Sequence, residues 1–153
     1  RNYMQKITPN LWFKGNAEEA VNYYLSVFPD SKIISSTRYP TEGLQDFQQE
    51  FAGKILTIDF ELFGQIFTAI NAGNDFTFNE SVSFLVLCKD QAEIDYYWEK
   101  LISGGGQESV CGWLKDKYGL SWQINPENMG ELMNKPGAFE KMMAMKKIII
   151  AEF

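Results

Sequence analysis

Histidine is absent from the 153 residues of this chain. Without an imidazole the chain cannot form a Ser-His-Asp triad or a Cys-His pair, and it lacks a ligand that many zinc and iron sites use. Cysteine is almost as scarce, since only Cys88 and Cys111 occur. The two lack metal-site spacing and fall in different predicted strands, so we expect reduced thiols and no disulfide.

Positive charge and long apolar runs are also scarce. The chain has 14 basic against 20 acidic residues, with a net charge of −6 and a pI near 4.7. A nucleic-acid partner requires clustered basic residues, so we expect none. No apolar run approaches the roughly 20 residues that cross a bilayer, and the first residues show no secretory signal pattern. We therefore expect no membrane partner and a cytoplasmic location.

A faint internal duplication is the most informative feature that is present. Pro9 to Leu25 is echoed by Val82 to Trp98 at a constant offset of 73 residues, and each copy is typical of a strand that leads into a helix. Two copies of such length indicate two fused modules that close on each other, because an open array needs at least three repeats to bury its faces. An apolar content of 45% is sufficient for the core of one such domain.

The apolar periodicity predicts the same order of elements in both halves. In the first half we expect a strand with Ile7, Leu11 and Phe13 on its core face, a helix ended by Pro29, and three strands. The hairpin between the last two strands should turn at Gly64-Gln65. The stretch 40–53 has no clean period and is predicted to be a surface loop or an arm for a partner. The predicted strands and helix of this half are 7–13, 17–28, 32–39, 54–63 and 66–72.

The second half repeats this pattern and adds a tail. Asp90 is the expected helix cap, and Pro126 should end the last strand. The predicted elements are strand 81–88, helix 92–103, strands 107–110, 112–114 and 120–125, a short helix at 127–133, and a covering segment from 138 onward.

Several stretches resemble the PhnB-like branch, also labelled demethylubiquinone methyltransferase-like, of the vicinal oxygen chelate superfamily, which includes glyoxalase I and bleomycin-resistance proteins. They are Ile7 to Phe13, Gly15 to Ala20, Phe76 to Ser81 and Cys111 to Gly119. The resemblance implies an α+β fold in which two tandem βαβββ modules form an incomplete barrel around a cavity, usually in a homodimer. It implies a single glyoxalase-like domain over 1–153, with module one at 5–74, module two at 79–126 and a C-terminal helical segment at 127–153.

The superfamily holds a divalent metal through His and Glu on the first and last strands of each module. At or near those places this chain has Thr8 or Asn10, Ser83, Asn71 and Gln123. Neutral amides and hydroxyls do not replace imidazole, thiolate or carboxylate ligands. We therefore expect no metal, or at most a weak site with oxygen ligands, and no other cofactor.

Polar and aromatic residues on the predicted strands are the candidates for ligand binding. Asn10 and Ser83 are equivalent under the offset and place a short polar group among apolar neighbours, where a ligand, a water or each other could be the partner. Trp12, Phe67 and Trp113 could form an aromatic wall or simply pack in the core. With Asn71 and Gln123, these seven residues are the predicted binding set.

Three carboxylates are weaker candidates for catalysis. Asp59 and Glu61 share one face of a strand and could act as an acid–base pair, or could lie on a solvated outer face. Glu80 lies in the loop that enters the second module and could stand at the rim of a site. Cys111 has no histidine to activate it.

Three functions follow as hypotheses from these residues. The first is a metal-free module that binds a small organic molecule in the cavity. The second is an enzyme with a carboxylate base, either a glyoxalase-like lyase or isomerase or the methyltransferase for which the branch is named; the chain has no glycine-rich strand-to-helix turn of the kind that doubly wound methyltransferases use. The third is a dimeric interaction protein that uses the loop 40–53.

Overall fold

The structure is a computed structural model, and it describes residues 4–153. Contacts between Cα atoms separate two compact units, one that ends at Thr77 and one that runs from Phe78 to Phe153. Each unit contains one four-stranded mixed sheet with a helix on one face. The order strand, helix and three strands occurs in both, which confirms the two tandem βαβββ modules.

The first unit has its strands in the order β1-β4-β3-β2, with β1 parallel to β4 and the other pairs antiparallel. Buried α1 residues recur at helical spacing, from Ala17 and Ala20 to Tyr24 and Val27, so one stripe of the helix packs on the sheet. The elements are β1 Asn10–Lys14, α1 Ala17–Val27, β2 Ser31–Arg38, β3 Ile55–Leu62 and β4 Gln65–Ala72.

The second unit repeats this topology with the order β5-β8-β7-β6. Its helix begins as predicted, because the carboxylate of Asp90 accepts a hydrogen bond from the backbone N–H of Glu93 at 2.9 Å. The elements are β5 Ser83–Cys88, α2 Gln91–Ile102, β6 Gln107–Glu108, β7 Trp113–Lys115 and β8 Ser121–Pro126.

The C-terminal segment folds back onto the second unit. It contains two short helices, α3 Met129–Leu132 and α4 Ala138–Met143, and a 3₁₀ turn at Ile150–Glu152. The side chain of Gln91 donates to the carbonyl of Ile148 at 2.9 Å and accepts from the N–H of Ile150 at 2.8 Å, which ties the segment to the start of α2.

Three local predictions are corrected by the structure. Ile7 is 85% exposed and precedes β1, because Pro9 offers no N–H and restricts the residue before it. The β3–β4 hairpin turns at Phe63-Gly64, both of which have positive φ, and not at Gly64-Gln65. Cys111 lies in a turn with φ of 58°, so the strand before it ends at Glu108 and not at 110, and the strand after it is Trp113–Lys115 and not 112–114.

The predicted loop 40–53 contains a 3₁₀ helix at Asp46–Phe51. The ring of Phe51 stacks on that of Tyr39 with centroids 5.1 Å apart, and the Tyr39 hydroxyl donates to the carbonyl of Asn71 at 2.6 Å. The loop is therefore anchored to β4, and its role as an arm for a partner stays a prediction. Across residues 4–153, no helix combines the length and apolar character needed to cross a bilayer.

Candidate functional site

Each sheet has one face against its own helix and an opposite face, which we call the distal face. In the second unit the distal face carries Ser83 and Leu85 on β5, Ser121 and Gln123 on β8, and Trp113 and Lys115 on β7. These side chains share a face because Ser83, Ser121 and Lys115 are register partners across the sheet, as are Leu85, Gln123 and Trp113. Three predicted binding residues, Ser83, Trp113 and Gln123, thus lie together.

A direct hydrogen bond joins two of the predicted residues. The amide of Gln123 donates to the hydroxyl of Ser83 at 2.9 Å, across the parallel β5–β8 pair. The partner of Ser83 therefore lies within its own unit. Sequence reasoning had left open a bond from Ser83 to Asn10, and the Asn10 amide instead donates to the carbonyl of Thr8 at 2.9 Å.

A cavity of about 130 Å³ opens beside these residues, at the β7 side of the distal face. Typical sites for drug-sized ligands measure roughly 300–1,000 Å³, so this cavity accommodates one end of a ligand and not the whole of it. It is lined by Glu80, Gln107, Glu108, Ser109, Trp113, Leu114, Lys115 and Ser121.

An ion pair stands at the rim of this cavity. The ammonium of Lys115 lies 2.8 Å from a carboxylate oxygen of Glu80, and the Glu80 side chain is 60% exposed. The hydrogen bond from Lys115, with a smaller contribution from its charge, lowers the pKa of Glu80. Glu80 is therefore ionised at neutral pH.

The inner wall of the cavity contains an unsatisfied polar group. Ser121 is fully buried, and its hydroxyl oxygen has no hydrogen-bond partner in the described part of the chain. A buried hydroxyl without a partner costs about 1–3 kcal/mol. Sequence reasoning missed Ser121 and Lys115, although the argument that singled out Ser83, a short polar residue between apolar ones, applies equally to Ser121.

The first unit has its own polar distal face. One row crosses all four strands in register, from Asn10 through Thr68 and Asp59 to Ser35. The Thr68 hydroxyl donates to the Asp59 carboxylate at 2.7 Å, and that of Ser35 lies at 3.5 Å from it. Glu61 is half-buried two residues along the same strand as Asp59 and therefore lies on the same face.

Trp12 also lies on this distal face, in register with Ile70. Its indole N–H donates to the carbonyl of Gly73 at 2.8 Å, and its ring packs edge-on against Phe76 with centroids 4.9 Å apart. The Trp12 side chain is half-buried, so part of the indole surface contacts the chain and part is accessible to solvent.

Phe67 and Asn71 lie on the opposite face, toward α1. Phe67 stacks on Phe60, which in turn stacks on Tyr24 of α1. The Asn71 amide accepts a hydrogen bond from the N–H of Ala17 at 3.1 Å and donates to the carbonyl of Ile55 at 3.0 Å. The position on β4 that corresponds to Gln123 on β8 is Ile70, since Ile70 pairs with Trp12 as Gln123 pairs with Leu85.

A second cavity, of about 440 Å³, lies in the first unit where α1 begins. Two basic and two acidic side chains line it together, so the formal charges of the lining balance. Its walls are formed by Gly15, Asn16, Glu18, Glu19, Arg38, Lys54, Ile55 and Asn71.

The donor set of the distal faces does not suit the divalent metal that the fold family implies. The residues at the expected ligand positions are Asn10, Ser83 and Gln123, which are neutral, and an apolar Ile70 replaces the fourth. Within residues 4–153, no three His, Cys, Asp or Glu side chains cluster in a way that could hold a metal ion. Zinc and iron sites need such ligands, so these residues do not form one.

The two βαβββ units and their polar distal faces define a protein of the glyoxalase, or vicinal oxygen chelate, fold. The family model described as 3-demethylubiquinone-9 3-methyltransferase matches residues 5–125, which is most of the chain. The chain belongs to this PhnB-like family. None of the curated protein sequences matches it significantly.

Solved structures agree with this assignment. The PhnB protein of Bacillus cereus, provisionally described as a 3-demethylubiquinone-9 3-methyltransferase, is 38% identical, with a TM-score of 0.67 over 78% of this chain and 98% of its own. A protein from Pseudomonas aeruginosa is 18% identical, with a TM-score of 0.65 over 81% and 98%. The fosfomycin resistance protein FosX of Listeria monocytogenes shares the fold at 13% identity, with a TM-score of 0.55 over 86% and 98%.

Proposed function

We propose that this chain binds a small organic molecule on the distal face of its second unit, with one end of the molecule in the cavity beside Trp113. The observation that carries the proposal is the convergence of predicted and unpredicted polar groups there. Glu80 and Trp113 line the cavity, and Ser83 and Gln123 adjoin it through the register of β5 and β8. An indole wall with a few convergent polar groups is the usual composition of a ligand site.

The donor chemistry favours binding without a metal. The hydroxyl and amide groups of the distal face can form hydrogen bonds to a neutral or anionic ligand, but they bind a divalent transition ion weakly. Orientation of the ligand by Trp113 and by these groups is therefore the proposed basis of recognition.

A catalytic role for Glu80 has less support. A general base works best when its pKa lies near the working pH, and the Lys115 ammonium moves the pKa of Glu80 in the opposite direction. The Asp59 carboxylate accepts hydrogen bonds from Thr68 and Ser35 within the first unit, which position it there. We therefore propose binding and not proton transfer as the function of this face.

The proposal is tested by thermal-shift screening of a metabolite library, followed by NMR mapping of any molecule that stabilises the chain. The mapped molecule should shift the indole N–H of Trp113 and should bind at least about tenfold more weakly to Trp113→Leu, because the variant removes most of one cavity wall. Trp12→Leu is the matched control, since Trp12 is also half-buried and lies in the other unit. A molecule that binds more weakly to Trp12→Leu but with unchanged affinity to Trp113→Leu would refute the proposed location.

We also propose that the chain acts as a homodimer in the cytoplasm. Val82, Leu85 and Leu87 are each more than half exposed around β5, and exposed apolar clusters often mark protein interfaces. Sedimentation analysis tests the assembly, and a monomer at micromolar concentration that stays a monomer over a hundredfold range would contradict it.

A further inference from the structure

The buried hydroxyl of Ser121 lacks a hydrogen-bond partner among the described residues. Ser121 lines the second-unit cavity, is fully buried, and has no hydrogen-bond partner in the described part of the chain. More than nine in ten buried polar groups in native proteins are paired, with protein, water or ligand. A cavity next to an unpaired buried hydroxyl is where a ligand atom would supply the missing bond.

The neighbour of Ser121 in the sheet is a cation. Lys115 is its register partner on β7, so the two side chains leave the same face with their Cβ atoms about 5 Å apart. The Lys115 ammonium uses one of its three donor hydrogens on Glu80. Among the described residues, the remaining two donors of Lys115 and the hydroxyl of Ser121 have no other partner, so they are available to the same ligand group.

Two carboxylates also line the cavity, and each already accepts one donor. The Glu80 carboxylate receives the Lys115 ammonium at the exposed rim, and the Glu108 carboxylate accepts the indole N–H of Trp98 at 2.7 Å. The wall formed by Ser121 and Lys115 is the donor-rich part of the cavity. Its complement is a group rich in acceptor oxygens that carries negative charge and is small enough for a cavity of about 130 Å³.

We propose that Ser121 and Lys115 together bind the carboxylate of a small organic acid whose apolar body lies against Trp113. This inference rests on the proposed function and names its ligand class. The Lys115 ammonium either shares its donors between Glu80 and the ligand or releases Glu80, whose side chain is 60% exposed and can enter solvent. The Ser121 hydroxyl donates to the second carboxylate oxygen.

The test is an NMR titration of the full chain with phenylacetate and, in parallel, with its neutral isostere phenylacetamide. Phenylacetate should shift the backbone amides of Ser121 and Lys115 and the indole of Trp113. Ser121→Ala and Lys115→Met should each weaken its binding about tenfold or more, the usual effect of losing a hydrogen bond to a charged group. Phenylacetamide should bind about tenfold more weakly than phenylacetate to the unaltered chain and should lose little in Lys115→Met.

Lys147→Met is the matched control. Lys147 forms an ion pair of 2.7 Å with Asp95 and is 31% exposed, against 2.8 Å and 34% for Lys115, but it does not line the cavity. It should leave phenylacetate binding unchanged. Ser121→Ala should fold at least as stably as the unaltered chain because it removes an unpaired hydroxyl. If the Ser121→Ala variant fails to fold, the Lys115→Met variant tests the inference by itself.

Equal binding of acid and amide, or binding that Ser121→Ala and Lys115→Met do not weaken, would overturn the inference. Inorganic phosphate that shifts the same amides where phenylacetate does not would overturn it as well. Library molecules that shift the indole resonance of Trp113 but bind with unchanged affinity to both variants would overturn the inference and leave the proposed function intact. If no molecule shifts Trp113, both fail.

Discussion

The side-chain oxygen of Asn71 accepts a hydrogen bond of 3.1 Å from the backbone N–H of Ala17, the first residue of α1. Asn16, the residue at the cap position, makes no such side-chain bond to the helix and instead accepts from the N–H of Lys14. A residue that is distant in sequence therefore satisfies a free N–H at the start of this helix. The other end of the Asn71 amide holds the carbonyl of Ile55, so one side chain connects α1, β3 and β4.

Asn71→Ala should destabilise the chain by about 2 kcal/mol, because it leaves the buried N–H of Ala17 and the partly buried carbonyl of Ile55 without this partner. The measurement is urea unfolding. Asn10→Ala is the control, since Asn10 is exposed and its side-chain amide donates to the nearby Thr8 carbonyl, and it should change stability by less than about 0.5 kcal/mol. Equal stability of the two variants would show that the cap contributes nothing.

Asp116 holds the turn between β7 and β8, and the stability of the chain should depend strongly on its carboxylate. It is buried, and its two oxygens accept from the N–H groups of Tyr118 and Leu120 and from the indole of Trp122 at 2.9–3.1 Å. Asp116→Ala should cost about 3 kcal/mol or more of unfolding free energy, since three donors lose their acceptor and two of these hydrogen bonds are buried.

Asp116→Asn should cost less than Asp116→Ala, because one acceptor oxygen remains. The indole N–H resonance of Trp122 should move in both variants. Asp75→Ala, in an exposed loop, is the control and should have little effect. A loss below about 1 kcal/mol in Asp116→Ala would mean that water replaces the carboxylate.

The two cysteines should differ sharply in reactivity. Cys88 is fully buried, and burial, with a smaller effect of nearby acidic groups, raises its pKa to about 12. Cys111 is partly exposed in its turn, with its sulfur 3.3 Å from that of Met143. Only thiolates react readily, so a disulfide reagent should label one thiol in the native chain and two after unfolding.

Cys111→Ser should abolish the native labelling, and Cys88→Ala should leave it intact. Labelling of Cys88 at the rate of Cys111 would show that the region around β5 opens in solution. The test needs no ligand, so it is independent of the proposed site.

The pKa of Glu80 should depend on Lys115. The hydrogen bond and charge of Lys115 lower this pKa, so Lys115→Met should raise it toward the ordinary glutamate value in a carbon-13 NMR titration. Because the folded-state pKa is below the unfolded one, the ion pair stabilises the chain above the unfolded pKa. That contribution disappears as the pH falls through the folded pKa.

Lys147→Met should raise the pKa of Asp95, because hydrogen bonds from Lys147 and Gln91 lower that pKa. The same variant should leave the pKa of Glu80 unchanged. An unchanged Glu80 titration in Lys115→Met would mean that the ion pair does not persist in solution.

Periodicity was sufficient to predict the tandem modules, because a helix and a strand bury side chains at different intervals. The cap at Asp90 was also predictable, since it depends only on residues three apart. The sequence could not predict on which face of β4 the side chains of Phe67 and Asn71 lie, because a shift of one residue in register moves a strand side chain to the other face. The binding roles of these two residues remain predictions, and both contact groups on the α1 side.

The absence of histidine was settled by the sequence alone, because the chemistry of a side chain belongs to the residue wherever it lies. The duplicated order of elements was settled in the same way, through local periodicity. Only the tertiary structure decided that Ser121, Lys115 and Glu80 meet at one cavity. Their approach depends on the pairing of β7 with β8 and on the path of the chain into β5, and strand register is determined by packing across the whole sheet.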